Sequence, residues 1–212
     1  MSPKQTFYEH QANTIIANLK KRQMDGFYCP TCEDAVKKAM ELVSTGDSVS
    51  FGGSMTLSES GIMDALNARE DITLYDRSKA STPEEIGTIY RKAFSCDTYF
   101  MSTNAITLDG ELVNIDGNGN RVAALIFGPS QVIIICGMNK VATDTDAAIA
   151  RVRNIASPPN CNRLNRKTPC ATTGVCADCL SLECICNHTV ITRRCGTPHR
   201  IKVLLVGEEL GY

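Results

Sequence analysis

The sequence predicts an α/β fold in which a parallel, doubly wound sheet is followed by a cysteine-rich metal-binding segment. Three observations predict it. Short β-prone runs alternate with amphipathic helical runs over most of the chain. Residues 132–136 are continuously apolar, as a central parallel strand is on both faces. Finally, seven of the eleven cysteines lie between Cys161 and Cys195, a density typical of a metal site.

Length and charge exclude several classes of function. The 212 residues suffice for one sizeable core and a small appended module. With 22 Lys and Arg against 23 Asp and Glu, the net charge of -1 gives no attraction to nucleic acid or to an anionic membrane surface. No stretch approaches the ~18 apolar residues of a spanning helix, and no signal peptide follows Met1. We therefore expect a cytoplasmic protein without membrane insertion, whose thiols stay reduced.

Hydrophobic periodicity predicts the helices and strands of the first half of the chain. Helices are expected at 5–22, 33–43, 58–68 and 83–95, and strands at 48–51, 72–75 and 98–101. A hairpin then interrupts the alternation, because residues 105–108 and 111–115 flank Asp109-Gly110, a dipeptide that favours tight hairpin turns.

The second half begins with the apolar strand at 132–136 and a helix at 144–155, which Pro158 and Pro159 are expected to end. Strands are expected at 189–192 and 201–206. Because the last strand is apolar enough to return to the main sheet, we divide the chain into an α/β core (1–157), a cysteine-rich segment (158–195) and a returning strand (196–212).

The first candidate site is a glycine-rich turn between a strand and a helix. Its residues Gly52, Gly53, Ser54 and Thr56 could present backbone N–H groups to a phosphate or carboxylate. The turn has neither the Walker nor the dinucleotide-binding spacing. Glu59 is a candidate catalytic carboxylate, but the Thr56-x-x-Glu59 spacing also fits a capping box, which we prefer.

The second candidate site is a cluster of polar turn residues expected at the carboxyl ends of the strands. Ligands of open α/β folds bind at that edge of the sheet. Arg121 could pair with an anionic substrate through two parallel hydrogen bonds, or could lie on the surface without a specific contact. The other members of this cluster are Asn104, Asp109, Asn114, Asp116 and Asn120.

The third candidate site is the cysteine cluster. Cys170, Cys176, Cys179 and Cys186 are the expected metal ligands, and Cys184 could replace Cys186. Zinc favours two separated Cys-x2-Cys pairs, of which only Cys176-x2-Cys179 is present, so an iron–sulfur cluster is preferred, zinc is the alternative and metal-free thiols come third. Cys29 and Cys32 also form a Cys-x2-Cys, which we interpret as incidental.

Three blocks of the chain resemble the LUD (lactate utilisation, formerly DUF162) domain family. They are residues 52–61, residues 104–124 and Gly137-Met138-Asn139-Lys140. Residues 168–179, 185–187 and 206–212 resemble a cysteine-bearing branch of the family. Lys140 thereby joins the expected ligand-binding residues. The resemblance implies a Rossmann-like sandwich like that of glucosamine-phosphate deaminase, ribose-phosphate isomerase and CoA transferases, in which Glu59 lies in the region of the transferase nucleophile.

The resemblance also implies a role beside iron–sulfur and flavin proteins that oxidise lactate to pyruvate. The leading hypothesis is thus a protein of lactate or related organic-acid oxidation, with a small-anion pocket and a four-cysteine metal centre. The alternatives are a stand-alone CoA-transferase-like or sugar-phosphate enzyme that uses Glu59, and a binding module held together by zinc. The fold alone does not decide among these chemistries.

Overall fold

The structure, a computed structural model, describes residues 2–212. Its strands are β1 (Asp25–Cys29), β2 (Ser48–Phe51), β3 (Thr73–Tyr75), β4 (Thr98–Ser102), β5 (Ala105–Thr107), β6 (Leu112–Asp116), β7 (Gln131–Gly137), β8 (Val141–Ala142), β9 (His188–Thr192) and β10 (Ile201–Val206). Its α-helices are α1 (Pro3–Lys21), α2 (Cys32–Glu41), α3 (Met55–Glu59), α4 (Ile62–Asn67), α5 (Pro83–Lys92), α6 (Asn120–Ile126), α7 (Thr145–Arg151), α8 (Ser157–Arg163) and α9 (Pro169–Thr173).

The main sheet has six strands in the order β1-β10-β7-β4-β2-β3. Every neighbouring pair is parallel, which confirms the predicted α/β class. The last strand, β10, lies inside the sheet between β1 and β7. A second sheet, in the order β8-β5-β6-β9, contains the hairpin of β5 and β6 and joins it to β9, which follows the cysteine-rich loop.

Hydrophobic side chains cover both faces of the main sheet. Along β7, Val132 and Ile134 point to one core cluster, whereas Ile133 and Ile135 point to the other. Helix α1 covers the first cluster, and α2, α3 and α4 cover the second. Both faces of the central strand are therefore buried, which accounts for its continuously apolar sequence. A third, smaller cluster lies between α7 and the second sheet.

Several local predictions differ from the structure. The helix expected at 58–68 is two helices, because Gly61 adopts a left-handed φ of 79° between α3 and α4. Strand β1 and helix α6 were missed, the latter because turn-forming residues precede it.

The expected helix end at Pro158 and Pro159 is also wrong. The chain continues from α7 through a π-helical turn (Val152–Ala156) into α8, where the two prolines occupy the first helical turn. Proline is tolerated there because the first N–H groups of a helix have no partner within that helix. Within residues 2–212, every helix is too short or too polar to cross a membrane.

Candidate functional site: a cationic cavity beside a cysteine cavity

A polar cavity of about 360 Å³ opens at the carboxyl ends of β2, β4 and β7. We call it the cationic cavity. It brings together eight of the predicted ligand-binding residues, namely Gly53, Ser54, Thr56, Asn104, Asp116, Asn120, Arg121 and Lys140. The cavity therefore occupies the edge of the sheet at which parallel α/β folds bind ligands.

Basic side chains dominate the lining of the cationic cavity. They are Arg77, Arg121, Lys140, Arg163 and Arg166. The one acidic side chain in the lining, Asp116, accepts from the Arg121 Nε at 3.1 Å and from the backbone N–H groups of Asn118 and Gly119. The cavity thus carries an excess of positive charge, which favours an anionic ligand.

Arg121 is a largely buried structural residue, with a side chain that is 13% exposed, and it can offer a ligand its positive charge. Besides Asp116, its guanidinium donates to the carbonyl oxygens of Ser102 and Ile115 and to the side-chain oxygens of Asn104 and Asn114. All five of its N–H donors are thus engaged. The expected pair of parallel hydrogen bonds from Arg121 to a substrate would require breaking these contacts. Burial lowers the pKa of Arg121 from its usual value.

Lys140 is the buried cation of the cavity. Its Nζ donates to Thr56 Oγ1 at 2.7 Å and to Ser102 Oγ at 3.0 Å, and its residue is only 4% exposed. Within residues 2–212 it forms no ion pair with a carboxylate. Burial lowers the pKa of Lys140 to about 8, with further lowering by the positive charges of Arg151 and Arg121. Its third N–H remains for a ligand.

Three predicted ligand-binding residues lie outside the lining. Gly52 packs against Arg121, since a Cβ there would lie 3.2 Å from the Arg121 side chain. Asn114 is fully buried behind the cavity and accepts from Arg121. Asp109 lies away from the cavity, because the turn at Gly110 packs against α1. The backbone carbonyl of Asp109 accepts a hydrogen bond from Arg22 Nε at 2.6 Å.

Glu59 also lies outside the cavity lining, and its preferred capping role is wrong. Helix α3 begins at Met55 with Ser54 as N-cap, so that Thr56 is already inside the helix. The exposed carboxylate of Glu59 instead accepts from the backbone N–H of Gly211 at 2.6 Å. Glu59 therefore fastens the carboxyl-terminal segment, an interaction that local sequence spacing cannot reveal.

Sequence reasoning missed several residues of the cationic cavity. Arg77 follows β3 and donates to Tyr90 Oη at 3.0 Å, and nothing in its local sequence marks it. Arg163 and Arg166 belong to α8 and the turn after it, where the excess of basic residues beside the cysteines was the available signal. Ser102, at the end of β4, holds Lys140.

A second cavity, of about 330 Å³, adjoins the first and is lined by sulfur. We call it the cysteine cavity. Its cysteines are Cys161, Cys170, Cys176, Cys179, Cys184 and Cys186. All four predicted ligands thus lie around one cavity, together with Cys184 and with Cys161 of α8, which the prediction omitted. Within residues 2–212, no three His, Cys, Asp or Glu side chains are close enough together to hold a single metal ion.

The thiols of the cysteine cavity have different environments. Burial raises the pKa of Cys161 to about 11 and also raises the pKa of Cys186. Hydrogen bonding by Ser181 lowers the pKa of the Cys179 thiol. The Sγ of Cys170 lies 3.3 Å from Thr168 Oγ1.

The two cavities share a wall made of Ile115, Ser157 and Ile185, which line both. The Ser157 Oγ lies 3.4 Å from the Cys186 Sγ. A single layer of side chains therefore separates the positive charge of one cavity from the sulfur atoms of the other.

The other five cysteines, Cys29, Cys32, Cys96, Cys136 and Cys195, do not line the cysteine cavity. Cys96 and Cys136 are buried among apolar side chains, and burial raises the pKa of each to about 11. Cys29 and Cys32 also have pKa values raised to about 11, chiefly by burial. A redox Cys-x2-Cys needs a lowered thiol pKa, so these values favour the incidental interpretation.

These features define an α/β protein whose cationic cavity, at the carboxyl ends of the strands, adjoins a cysteine-lined cavity. A family model described as the LUD domain matches residues 12–206. The chain belongs to the LUD domain family, as its sequence blocks predicted.

Comparison with solved structures gives distant similarities. A DUF162 family protein from Deinococcus radiodurans is 12% identical over 97% of this chain and 99% of its own, with a TM-score of 0.49. The eIF2B delta protein from Chaetomium thermophilum is 15% identical over 66% of this chain and 54% of its own, with a TM-score of 0.35. No curated protein matched the sequence.

Proposed function

We propose that this LUD-domain protein supports the oxidation of lactate or a related organic acid in the cytoplasm. It holds the acid anion in the cationic cavity and a metal centre on Cys170, Cys176, Cys179 and Cys186. Iron–sulfur and flavin proteins are its proposed partners. The observation that carries the proposal is the shared wall, through which Ser157 contacts both the anion site and Cys186.

The cysteine cavity suits an iron–sulfur cluster better than a zinc ion. Thiolates are the usual ligands of such clusters, and a cluster needs cysteines spread around a volume rather than converging on one point. Six cysteines around a cavity of about 330 Å³ fit that requirement. When bound, such a cluster supplies one-electron transfer. The chain's own contribution is to spread the sulfur atoms and to limit their exposure to water.

The cationic cavity suits an organic anion. Lys140 offers an N–H donor and a buried charge, and Arg77 offers a second charge on the glycine-rich side of the cavity. The polar side chains of Ser54, Asn104 and Asn120 can hydrogen-bond the hydroxyl or carbonyl group of such an acid. These residues bind and orient the anion.

Anaerobic purification followed by iron, sulfide and zinc analysis tests the metal centre. We expect iron and sulfide with a visible absorption band, which disappears when Cys176 and Cys179 are both replaced by serine. Colourless protein with stoichiometric zinc would instead support the alternative of a binding module held together by zinc. Isothermal titration with lactate, compared between the wild type and Lys140→Met, tests the anion site, because the variant should lose binding without losing iron.

A further inference from the structure

Four cations of the cationic cavity have no acidic partner. Arg77, Lys140, Arg163 and Arg166 form no ion pair with any carboxylate within residues 2–212. The single acidic side chain of the lining, that of Asp116, is already paired with Arg121. Gathering like charges around one cavity costs free energy unless a ligand neutralises them. One carboxylate, such as that of lactate, would neutralise only one of the four.

Three of the four unpaired cations lie at two depths, and Arg77 is half-buried. Lys140 is buried at the floor, where it is held by Thr56 and Ser102. Arg163 and Arg166 are exposed, at the end of α8 and in the turn that follows, and they define the mouth of the cavity. The ligand charges that these two groups favour must therefore be separated in space.

The size of the cavity agrees with this separation. Its volume of about 360 Å³ lies at the lower end of the range, roughly 300–1,000 Å³, of pockets that enclose whole drug-sized ligands. A three-carbon monocarboxylate would leave most of this volume to water. A larger acid with a second charged group would fill more of this volume.

We propose that the ligand is a small organic acid with two separated anionic groups, one bound at Lys140 and the other at Arg163 and Arg166. The second group is a carboxylate or a phosphate, since arginine binds both through parallel hydrogen bonds. Arg166 can offer such a pair, whereas Arg163 already donates from Nε and Nη2 to Asn160 Oδ1 and contributes mainly its charge. This inference rests on the proposed function for the organic acid and specifies its class. It assigns Arg163 and Arg166 as the residues that determine specificity for the second charge.

Calorimetric titration of the anaerobically purified protein with four probes tests this assignment. The probes are lactate, inorganic phosphate, malate with two carboxylates, and 3-phosphoglycerate with a carboxylate and a phosphate. We expect malate, 3-phosphoglycerate or both to bind at least about tenfold more tightly than lactate and inorganic phosphate, the factor that corresponds to one additional good polar interaction. The tighter of the two identifies the second group.

The double variant Arg163→Gln/Arg166→Gln should remove this preference, because it should weaken the binding of malate and 3-phosphoglycerate much more than that of lactate. Arg91→Gln, on the exposed face of α5, is the matched control and should change none of these affinities. Equal or tighter binding of lactate, or a preference that survives the double variant, overturns the two-anion assignment and leaves the proposed function standing. The expected preference in a protein without iron supports the assignment and overturns the metal centre instead.

Discussion

The Sγ of Cys161 lies 3.6 Å from the Sγ of Cys170, although one thiol is on α8 and the other on α9. Both are free thiols, and both face the cysteine cavity. Cys161 lies on α8, a helix that begins at the two prolines expected to end α7. The contact therefore depends on a helix that the sequence analysis did not predict. Together, Cys161 and Cys184 add two sulfur atoms to the four of the predicted ligands around this cavity.

Single replacements in the cysteine cavity should distinguish ligands from bystanders. We predict that Cys170→Ser, Cys176→Ser, Cys179→Ser and Cys186→Ser each lose most of the bound iron, because a serine hydroxyl is a poor ligand for a soft site. Cys161→Ser and Cys184→Ser are matched controls from the same cavity and should keep their iron. Iron analysis of anaerobic protein is the measurement. Loss of iron in Cys161→Ser would mean that this thiol is a ligand.

Replacing Lys140 by methionine should stabilise the protein without ligand. Burial lowers the pKa of Lys140 from 10.5 to about 8, so keeping its charge at pH 7 costs roughly 3 kcal/mol of folding free energy. Part of that cost should be recovered in Lys140→Met, so we expect the free energy of unfolding to rise by about 1–3 kcal/mol. The hydroxyls of Thr56 and Ser102 keep backbone acceptors.

Urea unfolding is the measurement, and Lys37→Met on the exposed face of α2 is the control. The pKa of Lys140 is lowered in the folded state, so its destabilising contribution is full below pH 8 and fades as the pH rises toward 10.5. The gain from Lys140→Met should shrink over the same range. A variant less stable than the wild type at pH 7 contradicts the prediction.

Anion binding should weaken in alkaline solution. A bound anion favours the protonated form of Lys140, whose pKa without ligand is about 8. The affinity for malate should therefore be constant well below pH 8 and fall above it, by up to about tenfold per pH unit. Titration calorimetry from pH 6.5 to 9.5 measures this. In Lys140→Met the affinity should be weaker and should lose this step, and a step of the same size there would assign it to another group.

Arg121 should prove indispensable for stability. Its five N–H donors are shared among Asp116, two asparagine side chains and two backbone carbonyls. Lysine has three donors and no planar fork, so Arg121→Lys should leave buried acceptors unsatisfied and reduce the free energy of unfolding by roughly 3 kcal/mol. Chemical denaturation measures the loss, with the exposed Arg91→Lys as the control. A loss as small as that of the control would show that the network tolerates water.

Replacing Glu59 by glutamine should distinguish a structural role of this residue from a catalytic one. Because its carboxylate accepts from the Gly211 N–H, Glu59→Gln should lower the free energy of unfolding by about 1 kcal/mol. The exposed Glu70→Gln, which should have no effect, is the control. Thermal and urea unfolding measure both. Unchanged stability of Glu59→Gln, together with loss of a CoA-transferase or sugar-phosphate activity, would support the catalytic alternative.

Much of the fold could be predicted because its signals are local. The alternation of helices and strands, the continuously apolar β7 and the hairpin at Asp109-Gly110 each follow from the periodicity and turn preferences of adjacent residues. The misses also have local causes. Two prolines begin α8 instead of ending α7, and Gly61 divides one expected helix into two. In both cases the same residue type is compatible with two backbone conformations.

By itself, the sequence determined the α/β class, the family and the identity of the cysteines and glycines that mark the two sites. Only the tertiary structure decided how these residues are used. In the folded protein every N–H donor of Arg121 is engaged, and Lys140 is buried without a counter-charge. Glu59 binds the carboxyl-terminal segment and does not cap a helix. The physical reason is that hydrogen bonds and ion pairs join residues far apart in the chain, so which partner a polar group finds is set by packing.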